Sequence, residues 1–264
     1  MKRLFLLLLG LFLLHNAEAQ RFIGSAIFGG NISQVDGDMV AGYKKIGFNT
    51  GGSLMIALDR KQRFFITMEL LYTQKGSYQK ADRNYPIIPV DSADLWKIDP
   101  SFSQNNSIKY KLRFDYAEIP ILFHYEDPRT GWAFGAGFAW GRLVYIKEIE
   151  NGYHLISTVQ SPDFWYKRND WSVLADIKIR LYKGLKLNFR FQYSMVPVRD
   201  RIFRRYQGDK PLPGTEWLRH QYHNVISMRL IYSFNEKYVP NPNFRKGYKK
   251  GLRWMRDQEA ISYK

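Results

Sequence analysis

Several carboxylates lie within otherwise apolar, strand-like segments, where a charged side chain is costly unless it is paired. The segment "FDYAEIPILFHY" (residues 114–125) carries Asp115 and Glu118 among aromatic and aliphatic residues, and Pro120 follows Glu118 by two residues. Such a carboxylate can serve catalysis or form a structural ion pair, and the basic residues in similar segments favour the ion pair. We predict an internal charge network of Glu69, Asp115, Glu118, Asp176, Arg180, Arg190 and Arg229, with Lys111, Arg113 and Lys178 as further partners.

Other residue types that support chemistry occur only in weak patterns. His220 and His223 could ligate zinc at the start of a predicted strand, but no third ligand is evident. His223 and Ser227 share one strand face about 13 Å apart, too far for a nucleophile–base hydrogen bond. Asp36 and Asp38 in a D-G-D sequence indicate a turn more strongly than a calcium site. The sequence therefore predicts no catalytic residue, cofactor or metal.

A cluster of arginines follows the seventh predicted strand. Arg199, Arg201, Arg204 and Arg205 lie in one predicted outer loop. Guanidinium groups bind phosphate bidentately, so this loop could contact lipopolysaccharide. The alternative is a solvated loop with local pairs to Asp200 and Asp209. The full chain carries a net charge of +16, and an exported protein of this charge meets lipid phosphates or acidic partners rather than nucleic acid.

The two ends of the chain differ in character from the middle. Residues 1–19 read as a signal peptide, with two basic residues, an apolar run and an A-x-A cleavage site. Residues 236–264 form a basic tail with eight Lys/Arg against three Asp/Glu. We predict that the tail docks a periplasmic partner or an acidic surface, although a disordered basic tail is the alternative. The proposed docking residues are Arg245, Lys246, Lys249, Lys250, Arg253 and Trp254.

The segments between these ends alternate with a period of two, which is the pattern of strands with two different faces. Eight segments show it: 21–32, 44–58, 63–76, 106–125, 131–146, 169–182, 185–198 and 221–234. In "LKLNFRFQY" (185–193), Leu, Phe and Tyr share one face, and Lys, Asn, Arg and Gln share the other. Charges on one face and aromatics at the ends of the other are typical of a transmembrane barrel with a polar lumen. A soluble lipocalin-like barrel, with its apolar face inward, is the structural alternative.

The connections support the membrane barrel. Residues 59–62, 126–130 and 183–184 are short turns, whereas 33–43, 77–105, 147–168 and 199–220 are long loops. This asymmetry is typical of outer-membrane barrels, which have periplasmic turns and extracellular loops. We therefore predict an all-β, eight-stranded antiparallel up-and-down transmembrane barrel at residues 20–235, with both termini periplasmic. Within 114–125 the apolar face changes near Tyr116–Glu118, which predicts a β-bulge beside Pro120.

Two stretches resemble a known family. "GGNISQVDGDMVAGYKKIGFNTGG" (29–52) and "DYAEIPILFHY" (115–125) are similar to segments of the PorT-like outer-membrane β-barrel family of Bacteroidetes, over about residues 20–235. The resemblance implies the barrel fold and an outer-membrane location, and it implies a role in type IX secretion only weakly. We expect a non-enzymatic accessory or structural component of an envelope or secretion assembly. The alternatives are a lipid-modifying enzyme and a ligand-binding surface barrel.

Overall fold

Eight long strands close into a single antiparallel barrel. A computed structural model describes residues 22–38, 42–59, 62–82, 87–89, 107–127, 130–150, 153–156, 166–207, 210–211 and 213–234. The barrel strands are β1 (Phe22–Asp36), β2 (Lys45–Ala57), β3 (Phe64–Asp82), β5 (Ser107–Glu126), β6 (Trp132–Glu150), β8 (Asn169–Tyr182), β9 (Leu185–Ser194) and β12 (Trp217–Ser233). They pair in this order, and β12 pairs back on β1 through Ser25↔Ser233 to Asp36↔Tyr222. The predicted fold class is confirmed.

Four short strands lie in the long connections. These are β4 (Ile87–Pro89), β7 (Tyr153–Ile156), β10 (Arg199–Gln207) and β11 (Lys210–Pro211). β7 pairs antiparallel with the end of β6, whereas β10 pairs with the first residues of β12 and with β4. The connections therefore contribute a small extra sheet at one end of the barrel, which we call the loop end. The opposite end, with the short turns, is the turn end.

An apolar band surrounds the barrel because alternate side chains of every strand face outward. Outward positions in all eight strands carry large exposed hydrophobic residues, such as Phe28, Leu70, Ile121, Phe138 and Met228. Most inward positions between them are small, polar or charged, with a few buried apolar residues such as Ile27, Leu71 and Leu122 among them. This is the lipid-facing arrangement of membrane barrels, and it excludes the lipocalin-like alternative, whose apolar side chains point inward. No helix among the described residues is long and apolar enough to span a membrane.

The polarity of the two faces reverses toward the loop end. Beyond the apolar band, the inward residues Leu112, Phe114, Tyr116 and Ile146 are fully buried, and they pack with Val35, Tyr110, Leu143 and Tyr166. The outward positions beside them, such as Lys111 and Arg113, are polar. A barrel wall that stands in water must be polar outside and apolar inside, so this part of the wall follows the rule of a soluble protein.

The predicted change of face in β5 is wrong. Every even-numbered residue of β5 from Tyr110 to Glu126 is buried, so the strand keeps one inward face throughout. A β-bulge does lie near the predicted position, between Asp115 and Tyr116, but its extra residue is Val144 of β6, between the register pairs Asp115↔Tyr145 and Tyr116↔Leu143. The sequence suggested a slip because the solvent changes from lipid to water along the strand, which reverses polarity without reversing the faces.

Pro120 lies where the pairing between β3 and β5 is interrupted. The register runs from Met68↔Ile121 to Leu71↔Glu118, with no paired residues between them. On its other side, Pro120 pairs in register with Ala139 of β6. Proline has no N–H to donate to a neighbouring strand. At Pro120 the missing hydrogen bond costs little, because the ladder with β3 is already interrupted there.

Candidate functional site

The centre of the lumen holds a cluster of two carboxylates and two arginines. Arg190 binds Glu69 bidentately at 2.8 and 2.9 Å and also donates to Asp176 at 2.6 and 2.8 Å. Arg229 donates to Glu69 at 3.1 Å and to Asn188 at 2.7 Å. All four charged side chains are buried. Four of the residues predicted from the sequence are thus brought together by β3, β8, β9 and β12.

Above this cluster, a second one forms around a lysine. Lys75 lies 2.5 Å from Glu118 and 2.9 Å from Asp170, and all three side chains are buried. Gln192 donates to Glu118 at 3.1 Å. The structure therefore places Glu118 in the lumen, paired with a lysine that sequence reasoning missed. Lys75 has the same strand parity as Glu69, so the alternation itself could have identified it.

A third cluster closes the turn end. Arg180 binds Glu126 in a short ion pair, and Lys186 donates to the other carboxylate oxygen of Glu126 at 2.8 Å. Arg180 is thus separate from the central cluster, in a group of its own. Since Glu126 ends β5 and Lys186 begins β9, this cluster ties two strands that are not neighbours in the barrel.

At the loop end, one buried carboxylate holds residues from β5 and from two connections. Glu148 accepts hydrogen bonds from Tyr110 at 2.8 Å, Tyr166 at 2.6 Å and Arg199 at 3.0 Å, and Arg201 lies 3.6 Å away. Burial by itself raises the pKa of Glu148, but Arg199 and Arg201 outweigh it and hold this pKa below its usual value. The buried apolar residues around Phe114 and Tyr116, which we call the aromatic cluster, lie beneath this site and fill the barrel mouth.

The assignment of Arg199 and Arg201 to lipopolysaccharide is corrected by this geometry. Arg199 is 1% exposed and Arg201 is 5% exposed, and both guanidinium groups face Glu148 inside the barrel mouth. They are not available to a lipid phosphate, because β10 turns their side chains inward. Arg204 and Arg205 also lie in β10, and their side chains are outside the described residues.

Asp115 is not part of the lumen network. It has the strand parity of Ile119 and Ile121, which are exposed on the outer face. Its carboxylate accepts hydrogen bonds from Arg113 at 2.6 and 2.8 Å and from Tyr72 at 2.6 Å. Asp115 therefore belongs to an outer-wall contact above the apolar band. The expectation of a face change in β5 had placed it inside.

The residues considered for metal binding or nucleophilic catalysis have other contacts. His220 is exposed and lies 2.6 Å from Asp200. His223 is fully buried against Phe114 and Tyr116, and burial lowers its pKa to about 3. Asp36 accepts a hydrogen bond from Gln34 at 2.7 Å. Within the described parts of the chain, no three His, Cys, Asp or Glu residues are grouped to hold a metal ion.

Two further predictions cannot be compared with the structure. Residues 1–19, the proposed signal peptide, lie outside the described residues, as does the basic tail at 236–264. The tail residues concerned are Arg245, Lys246, Lys249, Lys250, Arg253 and Trp254. Their roles stay predictions.

A closed barrel with an apolar outer band and a charged, filled lumen defines an integral membrane β-barrel of the outer-membrane class. The chain belongs to the family described as outer membrane protein beta-barrel domain, whose family model matches residues 20–199. This membership places the protein in the outer membrane.

Several solved structures are similar to this chain at low sequence identity. Neisserial surface protein A is 8% identical over 81% of this chain and 96% of its own, with a TM-score of 0.38. A major outer membrane protein from Thermus thermophilus is 8% identical over 81% and 100%, with a TM-score of 0.41. Ail of Yersinia pestis is 10% identical over 80% and 99%, with a TM-score of 0.32. Among curated proteins, no significant match is found.

Proposed function

We propose that the protein is a closed, non-enzymatic anchor in the outer membrane. The observation that carries this proposal is the filled lumen. Ion clusters occupy the interior from Glu126 at the turn end to Glu148 at the loop end. The aromatic cluster lies between the cluster around Lys75 and the one around Glu148. An eight-stranded barrel has an interior just wide enough for such side chains, so a solute path would require several buried ion pairs to break.

The geometry gives the enzymatic alternative little support. A lipid-modifying barrel needs a nucleophile or base at the outer rim, within hydrogen-bond reach of its partner. His223 and Ser227 are both buried in the lumen. His220 is exposed and paired with Asp200, which could orient a base, but no nucleophile among the described residues lies within hydrogen-bond reach of its ring. The working surfaces of a filled barrel are its outer wall, its loops and its termini.

The filled lumen predicts that the purified full-length protein forms no channel. In planar lipid bilayers we expect no stepwise conductance above that of the bare bilayer, because the charged clusters leave no continuous aqueous path. An open porin inserted under the same conditions provides the positive control. Reproducible conductance steps from the folded protein would contradict the proposal and would favour passive solute transport.

We further propose that the barrel anchors a docking element. In this scheme a signal peptide at residues 1–19 directs export, the turn end faces the periplasm, and the basic tail at 236–264 extends into that compartment. The resemblance of residues 29–52 and 115–125 to the PorT-like family supports an accessory role in an envelope or secretion assembly. Eight Lys/Arg against three Asp/Glu in the tail suit an acidic protein surface as the partner.

The docking role can be tested by gentle detergent extraction and pull-down. Full-length protein is compared with a chain that ends at Asn235. A full-length control with glutamine at Arg245, Lys246, Lys249, Lys250 and Arg253 keeps the tail length and removes most of its positive charge. We expect a periplasmic partner that is recovered with the full-length protein and lost from both variants. Identical recovery from all three proteins would rule out docking through the basic tail.

A further inference from the structure

A one-sided group of cations lies on the outer wall just beyond the apolar band. It consists of Lys111, Arg113, Arg142, Lys147 and Lys167, and we call it the basic rim patch. Arg142 is the next outward residue of β6 after Trp140, and Lys167 lies just before β8, whose first outward aromatic residue is Trp171. Tryptophans at the edge of an apolar band mark the level of lipid headgroups. The patch is therefore positioned at and above that level.

Three of these cations have no acidic partner among the described residues. Lys111, Arg142 and Lys147 form no ion pair with any residue that the structure describes, and Arg142 donates only to the side-chain oxygen of Asn169, at 2.9 Å. Lys111 and Arg142 are exposed, and Lys147 is half-buried. Lys167 lies 3.8 Å from Asp200, which is also bound to His220, so that carboxylate is shared.

The arrangement of the patch concentrates positive charge. Arg113 and Lys147 are direct register partners across β5 and β6, and like charges in this position repel each other. Arg113 is held in place by Asp115 through its Nε and Nη2 atoms and lies over the Tyr145 ring at 5.2 Å. Its Nη1 is left free of that carboxylate. A bound anion would relieve the repulsion and use the remaining donor.

The other side of the barrel carries less of this charge. On β1, β2, β9 and β12, the described outward residues just beyond the apolar band are Gln34, Asp36, Lys44, Met195 and Asn224. Further toward the loop end, the exposed Arg219 of β12 lies beside His220, which pairs with Asp200. The basic rim patch is therefore a local feature of the β5–β6–β8 wall and does not simply follow from the high net charge of the chain.

We propose that the basic rim patch binds the phosphate groups of an outer-leaflet glycolipid of the lipid A type. The location beside the apolar band favours a lipid over a free anion, because the acyl chains can pack on that band while the phosphates reach the cations. Guanidinium and ammonium groups bind phosphate by charge-assisted hydrogen bonds. This inference relies on the membrane orientation proposed above, but it does not depend on any partner of the tail.

The test measures lipid binding to the folded full-length protein in detergent by native mass spectrometry. The probes are bisphosphorylated lipid A and the same lipid without phosphates. The patch variant carries Lys111→Gln, Arg142→Gln and Lys147→Gln, and the matched control carries Lys44→Gln, Lys183→Gln and Arg219→Gln, which removes the same charge elsewhere. We expect the patch variant to lose about tenfold or more in affinity for bisphosphorylated lipid A, while the control stays like wild type.

Each opposing outcome would overturn the proposal. These outcomes are wild-type binding by the patch variant, equal loss by the control, and equal affinity of wild type for the two lipids. Displacement of lipid A by inorganic phosphate at equal concentration would point to a free anion and overturn the lipid assignment. If the triple variant does not fold, two other measurements test the proposal. Wild type should bind bisphosphorylated lipid A more tightly than the lipid without phosphates, and the single substitution Arg142→Gln should lower the affinity for bisphosphorylated lipid A.

Discussion

Most charged residues of the lumen have partners of opposite charge at hydrogen-bond distance, whereas Lys178 is buried there without a described ion pair. Removing an ion from water costs several kcal/mol, and only close, multiple hydrogen bonds recover that cost. Glu69 has three such contacts from Arg190 and Arg229, at 2.8 to 3.1 Å. The arginine fork suits this geometry better than lysine would, because it donates in two directions at once.

Loss of the Glu69 charge should therefore destabilise the barrel strongly. Glu69→Gln leaves Arg190 and Arg229 with Asp176 as their close carboxylate, and we expect the free energy of unfolding to fall by about 3–5 kcal/mol. Urea unfolding in lipid vesicles measures it. Glu216→Gln, an exposed carboxylate at the loop end, is the control and should change stability by less than about 1 kcal/mol.

A double variant separates charge balance from other effects of this substitution. Adding Arg229→Gln to Glu69→Gln removes one cation together with the anion, so the loss should be smaller than the sum of the two single losses. If Glu69→Gln unfolds at the same midpoint urea concentration as wild type, the central cluster does not stabilise the barrel.

At the scale of single elements, β5 and β6 illustrate how small residues make room for a filled lumen. The inward positions of β6 include Ala133, Gly135, Ala139 and Gly141, and large inward side chains of β5 lean across them. A Cβ at Gly135 would lie 2.1 Å from the His124 ring, and one at Gly141 would lie 3.3 Å from Glu118. The alternation of aromatic and small residues in β6 is thus a packing pattern as well as a membrane signal.

The same two strands mark the limit of what a strand pattern predicts. Alternation places Trp132 to Trp140 on the outer face correctly, because the contrast between lipid and lumen is strong there. Beyond the band, the inward side of β5 is apolar and the extra residue Val144 shifts the parity of β6. Glu148 therefore falls on the face that strict alternation assigns to the outside, so its role in the barrel mouth could not be predicted from the strand pattern.

At the scale of the whole molecule, closure of the barrel gives two chemically different ends. The turn end is tied by Glu126, Arg180 and Lys186, whereas the loop end is covered by β10 and the residues around Glu148. Loops at an outer surface and turns in the periplasm are the general arrangement of such barrels. The proposed orientation follows from this asymmetry.

Because the chain has no cysteine, single cysteine substitutions can test the orientation. Lys183→Cys marks the turn end and Arg219→Cys marks the loop end, and both positions are exposed. A membrane-impermeant maleimide applied to intact cells should label only Arg219→Cys, because the outer membrane shields the periplasm. Permeabilised cells, in which both variants should react, are the control. Labelling of Lys183→Cys on intact cells would contradict the proposed orientation.

The strand count, the barrel and the outward apolar band could all be predicted from the sequence. These features follow from period-two alternation and from short turns between neighbouring strands, both of which are local in the chain. The bounds of β2, β5, β8 and the last part of β12 agree with the predicted segments to within one or two residues. The sequence also identified Glu69, Asp176, Arg190 and Arg229 as inward charges, because their parity opposes that of the aromatic residues beside them.

Which charges meet could not be predicted in this way. Arg190 and Glu69 are 121 residues apart, and Arg229 and Glu69 are 160 apart, so their contact depends on barrel closure and register rather than on local pattern. The inward turn of β10, which buries Arg199 and Arg201, depends likewise on pairing with distant strands. The physical reason is that a residue's face can be inferred from its neighbours in sequence, whereas its partner is fixed by neighbours in space.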